Sequence, residues 1–290
     1  MKNEIQQIKF NNTRKESQFD LTSFDRIFSK KDLDHTLTDF QQIDFYMLIV
    51  VTGGTGKHTV DFTDYTLEQG TILSIRKDQI HKFFKNEVQG YVLLFTDTFL
   101  LHFFNEVEAI KSLQLFNELI SSPKIQLNTT DFDTTQKLIT EIEKEYYQIK
   151  DDHSMSVIGS LLHILFRKMY RIKSLDNAIF SEKKYLSSFI HLQQLVENQC
   201  FKTKKVSDYA SQMNISSKTV NNITNTVIHK SAKQFIDTIL ITQIKRLLIN
   251  TTFSIKEIAF QAGFEETTNL YKFFKKNTLL TPEVFRKLNQ

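Results

Sequence analysis

Residues 258–276 read IAFQAGFEETTNLYKFFKK. Apolar residues recur at helical spacing on both sides of Gly263, so one helix stops there and another starts within a few residues. A sharp turn between packed helices needs a residue with positive φ, which Gly supplies at no steric cost and Asn tolerates. Phe264 comes next to seal the turn, and Glu265, Glu266 and Thr267 begin the next helix. This is the grammar of a helix-turn-helix. Gly263 breaks the helix because two helices cross there at a steep angle.

The same grammar occurs about 49–50 residues earlier. VSDYASQMNI (206–215) lies over IKEIAFQAGF (255–264): Val206 matches Ile255, Tyr209 matches Ile258, Ala210 matches Ala259, Gln212 matches Gln261 and Ile215 matches Phe264. Asn214 stands where Gly263 stands, and Ser216 and Ser217 start the next helix. One extra residue in the second copy then brings Val220 over Leu270 and Ile223 over Phe273.

The second helix of each copy is the candidate reading helix. In SSKTVNNITNTVIHK, Val220, Ile223 and Val227 share an inward face, while Lys218, Asn221, Asn222 and Asn225 look out. In TTNLYKFFKK, Leu270, Phe273 and Phe274 point inward, and Thr268, Tyr271, Lys272, Lys275 and Lys276 outward. Asn pairs bidentately with adenine, and Lys meets guanine or phosphate, so such faces suit a DNA groove. A small helical domain with an ordinary polar surface would carry the same residues. Between the copies, SAKQFIDTILITQIKRLLINTTFS (231–254) sustains an apolar face through Phe235, Ile239, Ile244, Leu247 and Leu248. A helix of ~18 residues spans roughly 27 Å, close to the ~34 Å of one DNA turn.

Charge divides along the same line. Residues 183–290 hold 16 Lys+Arg against 7 Asp+Glu, a net of +9, while the rest holds 21 against 26, a net of −5. A basic third on an acidic body suggests a polyanion-binding module joined to something else. Lys205, Lys272, Lys275, Lys276 and Lys287 are candidates for phosphate contacts.

The 290 residues, 40% hydrophobic and 24% charged, leave room for about two globular domains. The single cysteine, Cys200, excludes an intramolecular disulfide and a cysteine metal cluster, which fits a reducing cytoplasm. The polar N-terminus is not a signal peptide, and no stretch reaches the ~18 uncharged apolar residues of a membrane span. A soluble, cytoplasmic protein is expected.

Residues 40–100 read as β: FYMLIVV (45–51), the turn cluster TGGTG (52–56), alternation in HTVDFTDYTL, then TILSIR and VQGYVLLF, with Gly-bearing turns between them. From Thr98 the period becomes helical, over 99–120, 134–150 and 155–173, and 174–185 reads as a linker. The expected fold class is α+β: an N-terminal β-barrel with flanking helices and a C-terminal all-α domain of two helix-turn-helix units joined by a long helix. The expected domains are 1–125 for sensing, 126–182 as a helical dimerisation or linker region, and 183–290 for DNA binding.

The C-terminal part resembles the AraC/XylS family of transcription regulators. The resemblance rests on I-x-x-I-A-x-x-x-G-F, then N-L-Y-x-F-F-K-K, then T-P-x-x-F-R-K, together with VSDYASQMNISSKTVNNI upstream. It implies base contacts from Lys218, Asn221, Asn222, Thr268, Tyr271 and Lys272, with Lys275 beside them. The chain departs from the family pattern at Leu240 (usually Arg), Ile244 (usually Ala), Asn269 (often aromatic) and Leu279 (usually Gly), and its first reading helix has no Arg. The N-terminal half, through TGGTGKHTVDFTDYTLEQGTILSIRKDQIHKFF and YVLLFTDTFL, is similar to the cupin-type sensor domain of many members. That likeness implies a small-molecule effector, near His58 and His81, and a homodimer formed through flanking helices. Ile142, Tyr146, Ile149, Leu161, Leu165 and Met169 offer the apolar stripes, which could equally pack on their own domain. RNA polymerase is the further partner implied, and activation is the commoner mode of the family.

Enzyme chemistry has little support in these residues. A metal-binding cupin has a His-x-His pair, but Val60 holds the place of the second histidine, leaving His58, His81 and Glu68. TGGTGK has the glycines of a phosphate loop, yet His58 comes after Lys57 where Ser or Thr is required, and β sequence continues from there. No nucleophile–base pair is recognisable, so no catalytic residue, metal or cofactor is expected. The competing readings are a metal-dependent cupin enzyme with a helical appendage and a DNA-repair methyl acceptor. The latter needs reactive, metal-held cysteines.

Overall fold

A computed structural model of the protein describes residues 5–11, 17–29, 36–85, 87–105, 108, 112, 115–117, 122–176 and 185–289. The chain divides into two compact units, Gln6–Asn177 and a second that takes in Ala178–Gln290.

The first unit is built on two five-stranded sheets. One has the order β1 (Gln6–Ile8), β3 (Gln41–Ile43), β8 (Ile80–Phe83), β5 (Thr55–Val60), β6 (Thr63–Glu68). The other has the order β10 (Lys124–Gln126), β7 (Thr71–Ile75), β4 (Tyr46–Gly53), β9 (Gln89–Phe95), β2 (Phe19–Ser23). The barrel expected from the sequence thus takes the form of two separately hydrogen-bonded sheets over a shared core. The unbroken apolar run of β4 has a direct cause: the strand is buried on both faces. Met47, Ile49 and Val51 pack between the sheets with Val60, Leu67 and Phe83, while Tyr46, Leu48 and Val50 face a second core of helices. Each large apolar side chain so buried contributes on the order of 1.5–3 kcal/mol. β5 and β6 are joined through Asp61 and Phe62, both at positive φ (44° and 66°), as a two-residue hairpin turn requires.

α1 (Phe24–Ser29) comes after β2 and buries Phe24 and Ile27 in the core between the sheets. Other helices cover the outer face of the second sheet, beginning with α2 (Asp97–Phe103) after β9. α3 (Thr129–Lys144) is capped by Asn128 and ends in a π-helical turn, Glu145–Ile149, before α4 (Ser154–Asp176). Ile142, Tyr146, Leu165 and Met169 are buried in this unit's own core, Leu161 packs against it, and Ile149 is exposed. Most of the apolar stripe is therefore spent within the domain. The single helix read over 99–120 is not realised: α2 stops at Phe103, where Phe104 turns extended, and much of 105–120 lies outside the described residues. Sequence reading also missed β1, β2, β3, β8 and β10. Of these, β2 carried a signal, since Phe19 and Leu21 alternate with Asp20 and Thr22.

The described residues of the second unit form only helices and the turns between them: α5 (Leu186–Gln199), α6 (Val206–Gln212), α7 (Ser217–Ile228), α8 (Ala232–Asn250), α9 (Ile255–Gln261), α10 (Thr267–Thr278) and α11 (Pro282–Leu288). α8 is the central element. Phe235, Ile236, Ile239, Leu240, Ile241, Ile244, Leu248 and Ile249 are all buried on it, so it is apolar nearly all round rather than along the one face read from its spacing. The reason is its neighbours: α5, α7, α9 and α11 all pack on it. Ser231 opens α8, and Ser254 opens α9, each with a reciprocal capping box closed by Gln234 and Glu257 respectively.

Candidate nucleic-acid interface

The two turns are built alike, hydrogen bond for hydrogen bond. After α6, the amides of Met213, Asn214 and Ile215 donate to the carbonyls of Tyr209, Ser211 and Ala210. After α9, those of Ala262, Gly263 and Phe264 donate to Ile258, Phe260 and Ala259. The bonds from Ile215 to Ala210 (3.0 Å) and from Phe264 to Ala259 (2.9 Å) close a left-handed helix terminus. Asn214 has φ 55° and Gly263 φ 70°. Gly263 carries a second constraint: a Cβ there would lie 2.1 Å from the carbonyl oxygen of Phe201. The Lys204 ammonium donates to the Gly263 carbonyl at 2.7 Å and sits over the Phe264 ring at 4.7 Å. Burial lowers the pKa of Lys204. No sequence signal distinguished this lysine from its neighbours.

The repeat runs further than the sequence comparison carried it. α7 ends at His229 and α10 at Leu279, both at positive φ (52° and 63°). Ser231 then caps α8 and Thr281 caps α11, and the matching Phe235 and Phe285 are buried. Each unit is thus a trio of helices. Arg286 ties the last of them back, donating to the carbonyls of Leu248 (2.8 Å) and Phe253 (2.7 Å).

The inward faces hold Val220, Ile223 and Val227 on α7, and Leu270 and Phe274 on α10. Phe273, read as inward, is only half-buried and rests against Phe264 with ring centroids 5.6 Å apart. Lys218 and Asn222 on α7, and Thr268, Lys272, Lys275 and Lys276 on α10, are exposed. Asn221 and Tyr271 differ from them. Asn221 is half-buried, its Nδ2 donating to the Ser217 carbonyl at 3.1 Å and its Oδ1 accepting from the Ala232 amide at 2.9 Å. Tyr271 is half-buried too, with its hydroxyl donating to the Glu283 carboxylate.

In the first unit His58 and His81 are brought together. They lie on neighbouring strands, β5 and β8, with His58 opposite Phe83 and Val60 opposite His81. His58 Nε2 and His81 Nδ1 are 3.3 Å apart, and the rings stack at 5.3 Å and 14°. Phe83 meets both rings edge-on. Both histidines are buried, and burial holds His58 well below the usual histidine range, with His81 adding to the effect. Glu68 does not join them; it pairs with Lys124 at 3.4 Å. Among the described residues no group of three or more His, Cys, Asp or Glu could hold a metal ion. Cys200 is buried, and its thiol is pushed up to about 11 by that burial, the opposite of an activated nucleophile.

A sandwich with a covered inner core, joined to two helical trios of matching turn geometry, defines a DNA-binding regulator with a separate sensing domain. Comparison with known proteins agrees. The model of the AraC-like ligand binding domain matches residues 25–155, and that of a helix-turn-helix domain matches residues 209–288. The chain is 21% identical over 248 residues to the HTH-type transcriptional activator RhaR of Enterobacter sp. (strain 638), covering 84% of this chain and 85% of that protein. It is 31% identical over 85 residues to the melibiose operon regulatory protein of Escherichia coli (strain K12), covering 29% and 28%. Among solved structures, unsaturated fatty acid-bound ToxT from Vibrio cholerae aligns over 96% of this chain and 97% of its own, at 17% identity and TM-score 0.44. The chain belongs to the AraC family of transcriptional regulators, with an N-terminal ligand-binding domain and a C-terminal helix-turn-helix DNA-binding domain.

Proposed function

We propose that the protein is an effector-controlled activator that reads promoter DNA with α7 and α10 in successive major-groove segments. The observation that carries this is the duplicated turn, which presents two exposed polar helix faces from one rigid unit. α8, with 19 residues, spans roughly 28 Å between them. That is near the ~34 Å of one DNA turn. Lys218, Asn222, Thr268 and Lys272 are read as facing bases, and Lys275, Lys276, Lys205 and Lys287 as facing phosphates.

Effector binding is assigned to the sheet domain, within residues 1–125. Because His58 and His81 are buried between the sheets, a ligand touching them enters that core. Residues 126–182 are read as a linker and dimerisation region, with RNA polymerase as the further partner. The protein is read as cytoplasmic and non-enzymatic; among the described residues no helix is long and apolar enough to cross a membrane.

The test is selection of bound fragments from a genomic DNA library at two salt concentrations. The expected result is one motif with paired half-sites about a helical turn apart, lost in a Lys218→Ala, Asn222→Ala, Lys272→Ala triple variant. Binding without sequence preference would overturn the reading.

A further inference from the structure

Two residues of the reading helices are not presented outward as their spacing suggests. Asn221 and Tyr271 occupy the same place in the repeat, fifty positions apart, as do His229 and Leu279. Each is turned toward the helix next in the chain. Asn221 Oδ1 takes the amide of Ala232, the first residue of α8. Tyr271 gives its hydroxyl proton to Glu283, in the first turn of α11. The amide at a helix start has no partner within its own helix, so Asn221 satisfies a group that would otherwise be orphaned. A carboxylate in a first turn is favoured by the helix dipole, and the Tyr271 hydroxyl holds it there.

These contacts conflict with base reading. Bidentate recognition of adenine needs both amide atoms of an asparagine aimed at the base edge. The amide plane of Asn221 is fixed instead by the Ser217 carbonyl on one side and the Ala232 amide on the other. These partners, a carbonyl and an N–H, also determine which amide atom is oxygen. The two copies thus meet one requirement with different chemistry, an amide in the first and a phenol in the second.

We infer that Asn221 and Tyr271 are positioning residues that lock each reading helix to the first turn of the next helix, leaving base recognition to Lys218 and Asn222 in one unit and Thr268 and Lys272 in the other. The inference rests on the reading of α7 and α10 as DNA-contacting helices.

The test uses the full chain and the duplex selected by the wild type, with a random-sequence duplex as control. Variants Asn221→Ala, Asn221→Asp, Tyr271→Phe and Asn222→Ala are measured at low temperature, where circular dichroism shows each to be folded. For Asn221→Ala and Tyr271→Phe the expected result is a selected motif unchanged base for base. Affinity for the selected duplex falls roughly tenfold, the worth of one such bond, and affinity for random duplex is retained. Asn221→Asp keeps the acceptor for the Ala232 amide and keeps the motif, its added charge weakening both duplexes alike. Asn222→Ala changes the preference at one base pair. A preference lost at a single base pair in Asn221→Ala or Asn221→Asp makes Asn221 a reader and overturns the inference, and the same loss in Tyr271→Phe does so for Tyr271. Folded variants with full affinity and an unchanged motif reduce both residues to packing and overturn it as well. A wild type that selects no motif brings down the functional reading itself, which distinguishes that failure from either of these.

Discussion

The first helix-turn-helix and the second share a backbone and differ in nearly everything else. Their turns carry the same three hydrogen bonds, and their reading helices end in the same left-handed residue. The first turn is made by an exposed asparagine, the second by a glycine pressed against the Phe201 carbonyl and held by Lys204. The first reading helix is capped by the Ser216 side chain; Glu266 makes no such bond at the start of the second. The first helix exposes amides with one lysine, the second three lysines. On the proposed reading, the first unit discriminates among sequences while the second supplies most of the electrostatic grip. The geometry of the turn is a backbone matter, so it survives this divergence, while exposed faces are free to change.

The sharpest way to break the comparison is at the turns. Gly263→Ala places a methyl within 2.1 Å of a backbone oxygen and on a left-handed residue. It is expected to cost about 3 kcal/mol or more. Asn214→Ala meets only the conformational penalty, about 1 kcal/mol. Urea denaturation of both variants measures the gap, and equal losses would mean that the close approach to Phe201 is relieved by a small shift.

The lysines come next. Replacing Lys275 and Lys276 together with alanine should reduce the slope of log affinity against log salt by up to ~1.8, at ~0.9 per phosphate contact. Lys218→Ala should reduce it by no more than ~0.9 on the same basis. Titrations across a salt series would show whether the grip is divided this way; equal slopes would put the two units on a par.

Acid sensitivity separates the sheet unit from the helical one. His58 is kept neutral by burial, so its folded pKa lies below its unfolded value. The unfolded chain therefore takes up more protons once the pH drops below ~6.5, and stability should decline by up to ~1.4 kcal/mol per pH unit from there. His58→Gln should flatten that decline, as thermal melts between pH 7 and pH 5 would register.

The smallest effect concerns Leu279, which is 86% exposed at φ 63°. Leu279→Gly should stabilise the helical unit by about 1 kcal/mol, since glycine accepts that conformation freely. A lower denaturation midpoint would show that the side chain contributes contacts outweighing the strain.

Much of this was legible from local pattern. The positive-φ requirement marked Asn214 and Gly263, and the departure of Leu279 from the family's glycine marked a residue that does adopt a left-handed backbone. Helical spacing separated Val220, Ile223, Val227, Leu270 and Phe274 from the exposed lysines. Spacing went wrong where partners lie far along the chain. Phe273 is a nearer case: it has an inward phase, yet it is only half-buried, its ring resting against the equally half-buried Phe264. The face read on α8 did not include Leu240 and Ile241, which are buried because α5, α7, α9 and α11 close around that helix. The short strands β1 and β10, three residues each, are too brief for any alternation to register.

The sequence by itself determined the α+β class, the basic helical third, the duplicated turn and the residues that must take positive φ. These depend on local backbone energetics and on periodicity, which few neighbouring residues suffice to express. Only the tertiary structure decided that residues 46–51 are buried on both sides, that His58 and His81 face each other, and that Asn221 and Tyr271 bond to the start of the next helix. Each of those facts is a contact between distant parts of the chain, and periodicity says which way a side chain points but not what it will meet.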